Sequence, residues 1–163
     1  MSDKHLFTLY IELRDDLSAL EQHTLAYLFK ERPDPPQTWP AHDFFQVPRG
    51  PQQLGLGGAD GFPPGAYVSA HWRSSEHPGV FSGIHVTCPN LAAGDFYEGF
   101  LPMAQWLATL SSPRGYVGAF KNQSDNEGSP WILHVYDGEL FLTLFDQNTP
   151  LLSADSGEPY RWP

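Results

Sequence analysis

The sequence predicts an α+β fold: a largely antiparallel sheet with two helices on one face, forming a ferredoxin-like β-α-β-β-α-β core plus a C-terminal hairpin. Three observations carry this. Residues 5–13, HLFTLYIEL, alternate apolar and polar like a half-buried strand. Two segments, 14–33 and 94–110, repeat apolar residues at helical spacing. The remaining apolar runs are short and broken by turn residues, most clearly at Asp137-Gly138.

In order along the chain, the first strand places Phe7, Leu9, Ile11 and Leu13 on one face and Thr8, Tyr10 and Glu12 on the other. The first helix follows, capped by Asp16 or Ser18, with SALE matching the capping-box spacing and Pro33 closing it. Leu17, Leu20, Thr24 and Leu28 form its buried stripe. Residues 33–65 are rich in proline and glycine and lack periodicity, which predicts a long loop pinned by Trp39, Phe44, Phe45 and Phe62. Its GLGGADG stretch is turn chemistry, because the third glycine of a dinucleotide fingerprint would fall on Asp60 and no helix follows.

Residues 67–88 read as two strands around His77 to Gly79. That register sets Trp72 opposite Ile84 and His71 opposite His85, with Ile84, Val86 and Cys88 facing the core. The second helix carries Phe96, Phe100, Met103, Leu107 and Leu110 on one stripe, and Pro102 predicts a kink or a late start. Residues 115–123 form another strand. Residues 130–145 then pair about Asp137-Gly138, placing Leu133 and Val135 with Leu142 and Leu140. The tail from 147 to 163 reads as irregular.

The 163 residues fit one domain that buries about two thirds of its unfolded surface. A composition of 40% hydrophobic and 14% aromatic residues excludes disorder throughout. A net charge of −10, with a pI near 4.9, argues against nucleic acid and against anionic membranes, since no Lys/Arg cluster exists to meet phosphates. The single cysteine, Cys88, excludes an internal disulfide framework. There is no signal-like apolar region and no apolar run near the roughly 18 residues of a membrane span. A soluble cytoplasmic protein is expected.

If the helices cover the apolar side, the other side of the sheet carries Tyr10, Glu12, Tyr67, His71, Arg73 and His85. It also carries Tyr116, His134 and Tyr136, together with Phe81, Phe120 and Phe141. Aromatic rings with histidines and a few charges give large contact area at low rotamer entropy, which suits a face that binds a partner or ligand. His71, His85 and His134 are also the candidate metal ligands, with Glu12 as a fourth. No local ligand-spacing motif supports them, however, and Cys88 lies on the core side. No cofactor is expected.

Catalytic motifs are absent. Ser69 near His71 lacks the G-x-S-x-G elbow, and Cys88 and His85 fall on opposite faces of one strand. The carboxylate pairs Asp15-Asp16 and Asp137-Glu139 sit at a helix start and a turn, where capping and turn roles account for them. Glu12, His85 and Tyr10 form the one conceivable acid/base group.

The segments VTCPNLAAGDFYEGFLPMAQWLATL and GYVGAFKNQSDNEGSPWILHVYDGEL, with ELRDDL, LAYLF and HDFF nearer the amino terminus, resemble a group of small bacterial proteins of no established activity. The resemblance covers most of the chain outside residues 46–65, and its motifs are structural, so it carries over no catalytic residue. In size, charge and type such proteins resemble immunity proteins that neutralise a cognate toxin. The expectation is a non-enzymatic bacterial binding protein that holds a protein partner, one of basic character, on the aromatic and histidine-bearing face. The alternatives are a small-molecule or metal-binding protein, or an enzyme, with its pocket between the sheet and the 33–65 loop, and a homodimer formed through the same face.

Overall fold

A computed structural model describes residues 4–29, 33–46, 67–72, 81–112, 115–123, 129–145, 151–153 and 159–160. The expectations for Phe62, Arg73 and the GLGGADG stretch lie outside these residues. The architecture is α+β, an antiparallel sheet with two helices. Strand β1 (Lys4–Glu12) leads to α1 (Ala19–Leu28) and a single 3-10 turn at Asp43–Phe45. Then come β2 (Tyr67–Trp72) and β3 (Phe81–Ala92). The second helix runs without a break through α2 (Ala93–Asp95), a π turn at Phe96–Phe100 and α3 (Leu101–Thr109). Strands β4 (Gly115–Asn122), β5 (Trp131–Tyr136), β6 (Glu139–Leu144), β7 (Leu151–Ser153) and β8 (Pro159–Tyr160) complete the sheet. Its order is β2-β3-β1-β4-β5-β6-β7-β8, with every neighbouring pair antiparallel. The tail expected to be irregular therefore contributes two short strands.

The alternation of β1 is the organising fact. His5, Phe7, Leu9, Ile11 and Leu13 are buried, whereas Leu6, Tyr10 and Glu12 are exposed. Phe7 sits at the centre of the core, its ring 5.8 Å from Phe96 and 5.7 Å from Phe100. Phe96, Phe100, Met103 and Leu107 from the second helix are all essentially inaccessible, so the stripe read from the sequence is the stripe that packs. Pro102 falls in the first turn of α3 and explains the π turn before it. Lacking an N–H, it cannot continue the regular ladder, and the Leu101 N–H reaches back to the Phe96 carbonyl.

Helix α1 begins at Ser18, which closes a full capping box with Glu21. Burial alone would raise the Glu21 carboxyl, but hydrogen bonds from the Ser18 backbone and side chain, with Arg14, outweigh it and hold the group below its ordinary value. Arg14 also donates to the Thr109 carbonyl at 2.6 Å and pairs with Asp16 at 3.0 Å. It thereby ties the exit of β1 to the start of α1 and the end of α3.

The described part of the long loop packs with the helices. Phe44 is fully buried and stacks on Trp106 at 6.0 Å, while Trp39 stacks on Phe45 at 5.2 Å and meets Tyr27 edge-on. Residues 33–46 thus do not roof the opposite face of the sheet. No helix among the described residues is long and apolar enough to cross a membrane.

Candidate functional site: the open face of the sheet

Two exposed tyrosines define the face away from the helices. Tyr10 on β1 is 46% exposed and Tyr116 on β4 is 65% exposed, and β1 and β4 are neighbours in the sheet. Each is backed by a half-buried histidine on its outer side. His85 lies opposite Tyr10 in the β1–β3 ladder, with ring centroids 6.3 Å apart and planes crossing at 70°. His134 lies opposite Tyr116 in the β4–β5 ladder, with centroids 6.4 Å apart at 78°. The result is a row across four strands, His85, Tyr10, Tyr116, His134, extended on β6 by Phe141 opposite His134. Such edge-to-face rings hold one another in place.

The row depends on one irregularity. In β4 the pairing slips between Tyr116 and Gly118, so Val117 is an extra residue. Val117, Gly118 and Phe120 face the core, with Phe120 only 4% exposed and 4.3 Å from Phe96. Strict alternation had put Phe120 on the same side as Tyr116. The bulge corrects this by turning Tyr116 out while leaving Phe120 in. Phe141 is a second correction, being on the open side by register but only 3% exposed.

Beside the aromatic row runs a row of non-aromatic side chains, Thr87, Thr8, Ala119, Ile132 and Thr143, each opposite the next in its ladder. Thr87 Oγ1 shares a 3.2 Å hydrogen bond with His85 Nε2, which fixes the imidazole. Gly83 of β3 lies under Tyr10. A Cβ built there would stand 3.6 Å from the Tyr10 hydroxyl and 3.8 Å from its Cε2, so the ring leans over bare backbone. Glu12 is directly opposite Gly83, and is exposed. Tyr136, half-buried, pairs with the exposed Glu139 at the same end of the sheet. Gly83 was not singled out in the sequence, although an isolated glycine within a strand pattern signals just such a close approach.

Not every expected neighbour comes together. Ser69 sits opposite His85, while His71 sits opposite Gly83, two positions from the expected pairing, and a bulge follows between His71 and Trp72. Tyr67 pairs with Thr87 in the same ladder. For Tyr67 and His71 only the backbone is described, and Arg73 lies outside the described residues. His134 is on β5, three strand spacings from His85 on β3. At about 4.8 Å per spacing that is roughly 14 Å, so the two cannot share one metal ion. Among the described residues no group of three His, Cys, Asp or Glu could hold a metal.

Electrostatics separate the candidates further. Desolvation holds His134 below its ordinary value, keeping the imidazole neutral at neutral pH. Cys88 faces the core and burial pushes its thiol up to about 12, so it offers no thiolate to His85. No family model, curated protein or solved structure matches the chain. The resemblance to small bacterial proteins rests on the quoted sequence motifs alone.

Proposed function

We propose that this is a non-enzymatic binding protein of the bacterial cytoplasm that holds a protein partner on the open face of its sheet, in the manner of immunity-type proteins. The observation that carries this reading is the pair of exposed tyrosines on adjacent strands β1 and β4, each held edge-on by a histidine. Tyrosine offers large, rigid area with a polar tip, and such residues dominate binding energy where they cluster at the centre of a patch. The acidic balance of −10 favours a basic partner. The unreactive Cys88, and its separation from His85, favour binding over nucleophilic chemistry. The ferredoxin-like reading of the first six elements draws support from the β2-β3-β1-β4 order, and the C-terminal hairpin from the β5–β6 ladder across Asp137–Gly138.

The test is a Tyr10→Ala/Tyr116→Ala variant. A partner is captured with the wild-type protein, identified, purified, and its Kd measured against both forms. The double variant should lose at least about 30-fold in affinity, the size of a 2 kcal/mol hot spot, with an unchanged melting curve. Full affinity in a well-folded variant would remove this face from the interface.

A further inference from the structure

Resting on that reading, we propose that Tyr10, Glu12 and Gly83 form the seat for an arginine side chain of the partner, the guanidinium stacked on the Tyr10 ring and paired with the Glu12 carboxylate. One face of the Tyr10 ring leans over Gly83, and the ring is 46% exposed. His85 stands edge-on at 6.3 Å and limits sideways movement of the ring. Glu12 is the next residue on the same face of β1, and its cross-strand partner is Gly83 itself. A flat aromatic surface and a carboxylate therefore converge over one glycine. Glu12 has no ion pair among the described residues. Its strand end is held from behind, where the Glu12 carbonyl accepts from the Ser112 N–H at 3.0 Å and the Leu13 N–H donates to the Ser82 carbonyl at 2.9 Å.

The chemistry of this seat selects arginine over lysine. A guanidinium is planar and weakly hydrated, stacks on aromatic faces, and meets a carboxylate through two parallel N–H donors. An ammonium is a hydrated point charge that gains less from a flat ring. Charge along the face favours a cation of either kind at this end. Glu12 and Glu139 share one end of the sheet, while Lys4 and Lys121 lie toward the other. At about 3.4 Å per residue, Lys4 is roughly 27 Å from Glu12 along β1. An incoming cation is steered to the Glu12 end.

The probe is a blocked glycine-rich hexapeptide carrying two arginines, with lysine, citrulline and glutamate versions, titrated against protein labelled for NMR at its tyrosine and histidine rings. The arginine peptide should shift the Tyr10 and His85 resonances and bind several-fold more tightly than the lysine peptide, and citrulline should abolish the effect. Tyr10→Leu and Glu12→Gln should each weaken it about threefold to fivefold, while Tyr10→Phe, which keeps the ring, retains it. Gly83→Ala, which sets a methyl against the ring at ordinary contact distance but only 3.2 Å from the Ile11 carbonyl oxygen, should shift Tyr10 before any peptide is added. Equal binding of the lysine peptide, or shifts indifferent to Tyr10→Leu and Glu12→Gln, would overturn the arginine seat. If neutral or acidic peptides shift Tyr10 and Tyr116 instead, the seat falls and the binding face stands. If no peptide touches either ring, and the double alanine variant keeps its partner, both fall.

Discussion

Gly118→Ala tests how tightly the central strands must approach for the open face to exist. Gly118 of β4 pairs with Leu9 of β1, at the point where the bulge begins. A Cβ added there would lie 2.9 Å from the Leu9 Cα and 3.0 Å from the Thr8 carbonyl carbon, and nearer still to the Thr8 carbonyl oxygen. Ordinary carbon–carbon contact is about 3.5–4.0 Å. All three atoms are backbone, so no side chain can swing aside. Relief requires β1 and β4 to part by most of an ångström. Overpacking of this kind costs about 1–3 kcal/mol. Losing one or two ladder hydrogen bonds at about 0.5–1.5 kcal/mol each brings the total to roughly 2–5 kcal/mol. For a domain of this size that lowers Tm by about 5–20 °C.

The assay is urea unfolding followed by tryptophan fluorescence, with thermal melting alongside. Gly94→Ala is the control, because nothing lies within 4 Å of a Cβ there, and a helical site should be neutral or gain up to about 1 kcal/mol. A Gly118→Ala protein within about 0.5 kcal/mol of wild type would refute the close approach of β1 and β4, and with it the adjacency of Tyr10 and Tyr116.

Ser18→Ala should cost about 0.5–2 kcal/mol in the same urea assay, because it opens a complete capping box. The Glu21 carboxyl is lower in the folded state than in the unfolded chain, so its contribution is fully present above the ordinary glutamate value and is lost as pH falls through the lowered one. Stability measured against pH should show that acid loss in wild type and less of it in Glu21→Gln. His134 is likewise lowered, by desolvation, so the folded state binds its proton less readily than the unfolded chain. Stability should fall as pH drops through the ordinary histidine range, and His134→Gln should flatten that part of the curve. Cys88 should resist a thiol reagent at pH 8 in the folded protein and react at once in denaturant; fast native labelling would contradict its burial.

Where side chains alternate regularly, the sequence was a sufficient guide. The buried set Phe7, Leu9 and Ile11, the helix stripe of Phe96, Phe100, Met103 and Leu107, and the capping pair Ser18 and Glu21 all follow from periodicity and hydrogen-bonding chemistry that act locally. The Asp137–Gly138 turn follows as well, both residues having the positive φ that this pair tolerates. Pairings set by distant strands were not legible. Placing His134 near His85 required the strand order, which depends on how the whole sheet assembles. The two-position slip of His71 depends on a turn whose length the residues alone leave open.

The β4 bulge joins the miss and the site. With Gly118 and Phe120 directed at the core, regular alternation would bury residue 116 too, and a tyrosine there would have to enter a packed interior beside Val135. One extra residue, Val117, reverses the parity from that point onward. Tyr116 is delivered to the solvent face opposite His134, while Phe120 remains stacked over Trp131 at 6.0 Å. Gly118 makes the arrangement sterically feasible by letting β4 close against Leu9 at the bulge. The exposed tyrosine pair thus comes from a glycine and a bulge that sequence periodicity reads as noise. Deleting Val117 tests this directly: regular pairing would be restored, Tyr116 would be driven toward the core, and its ring should lose solvent accessibility in a photo-oxidation or NMR solvent-exposure measurement. A Tyr116 that stays as exposed as in wild type would show that the bulge is not what turns it outward.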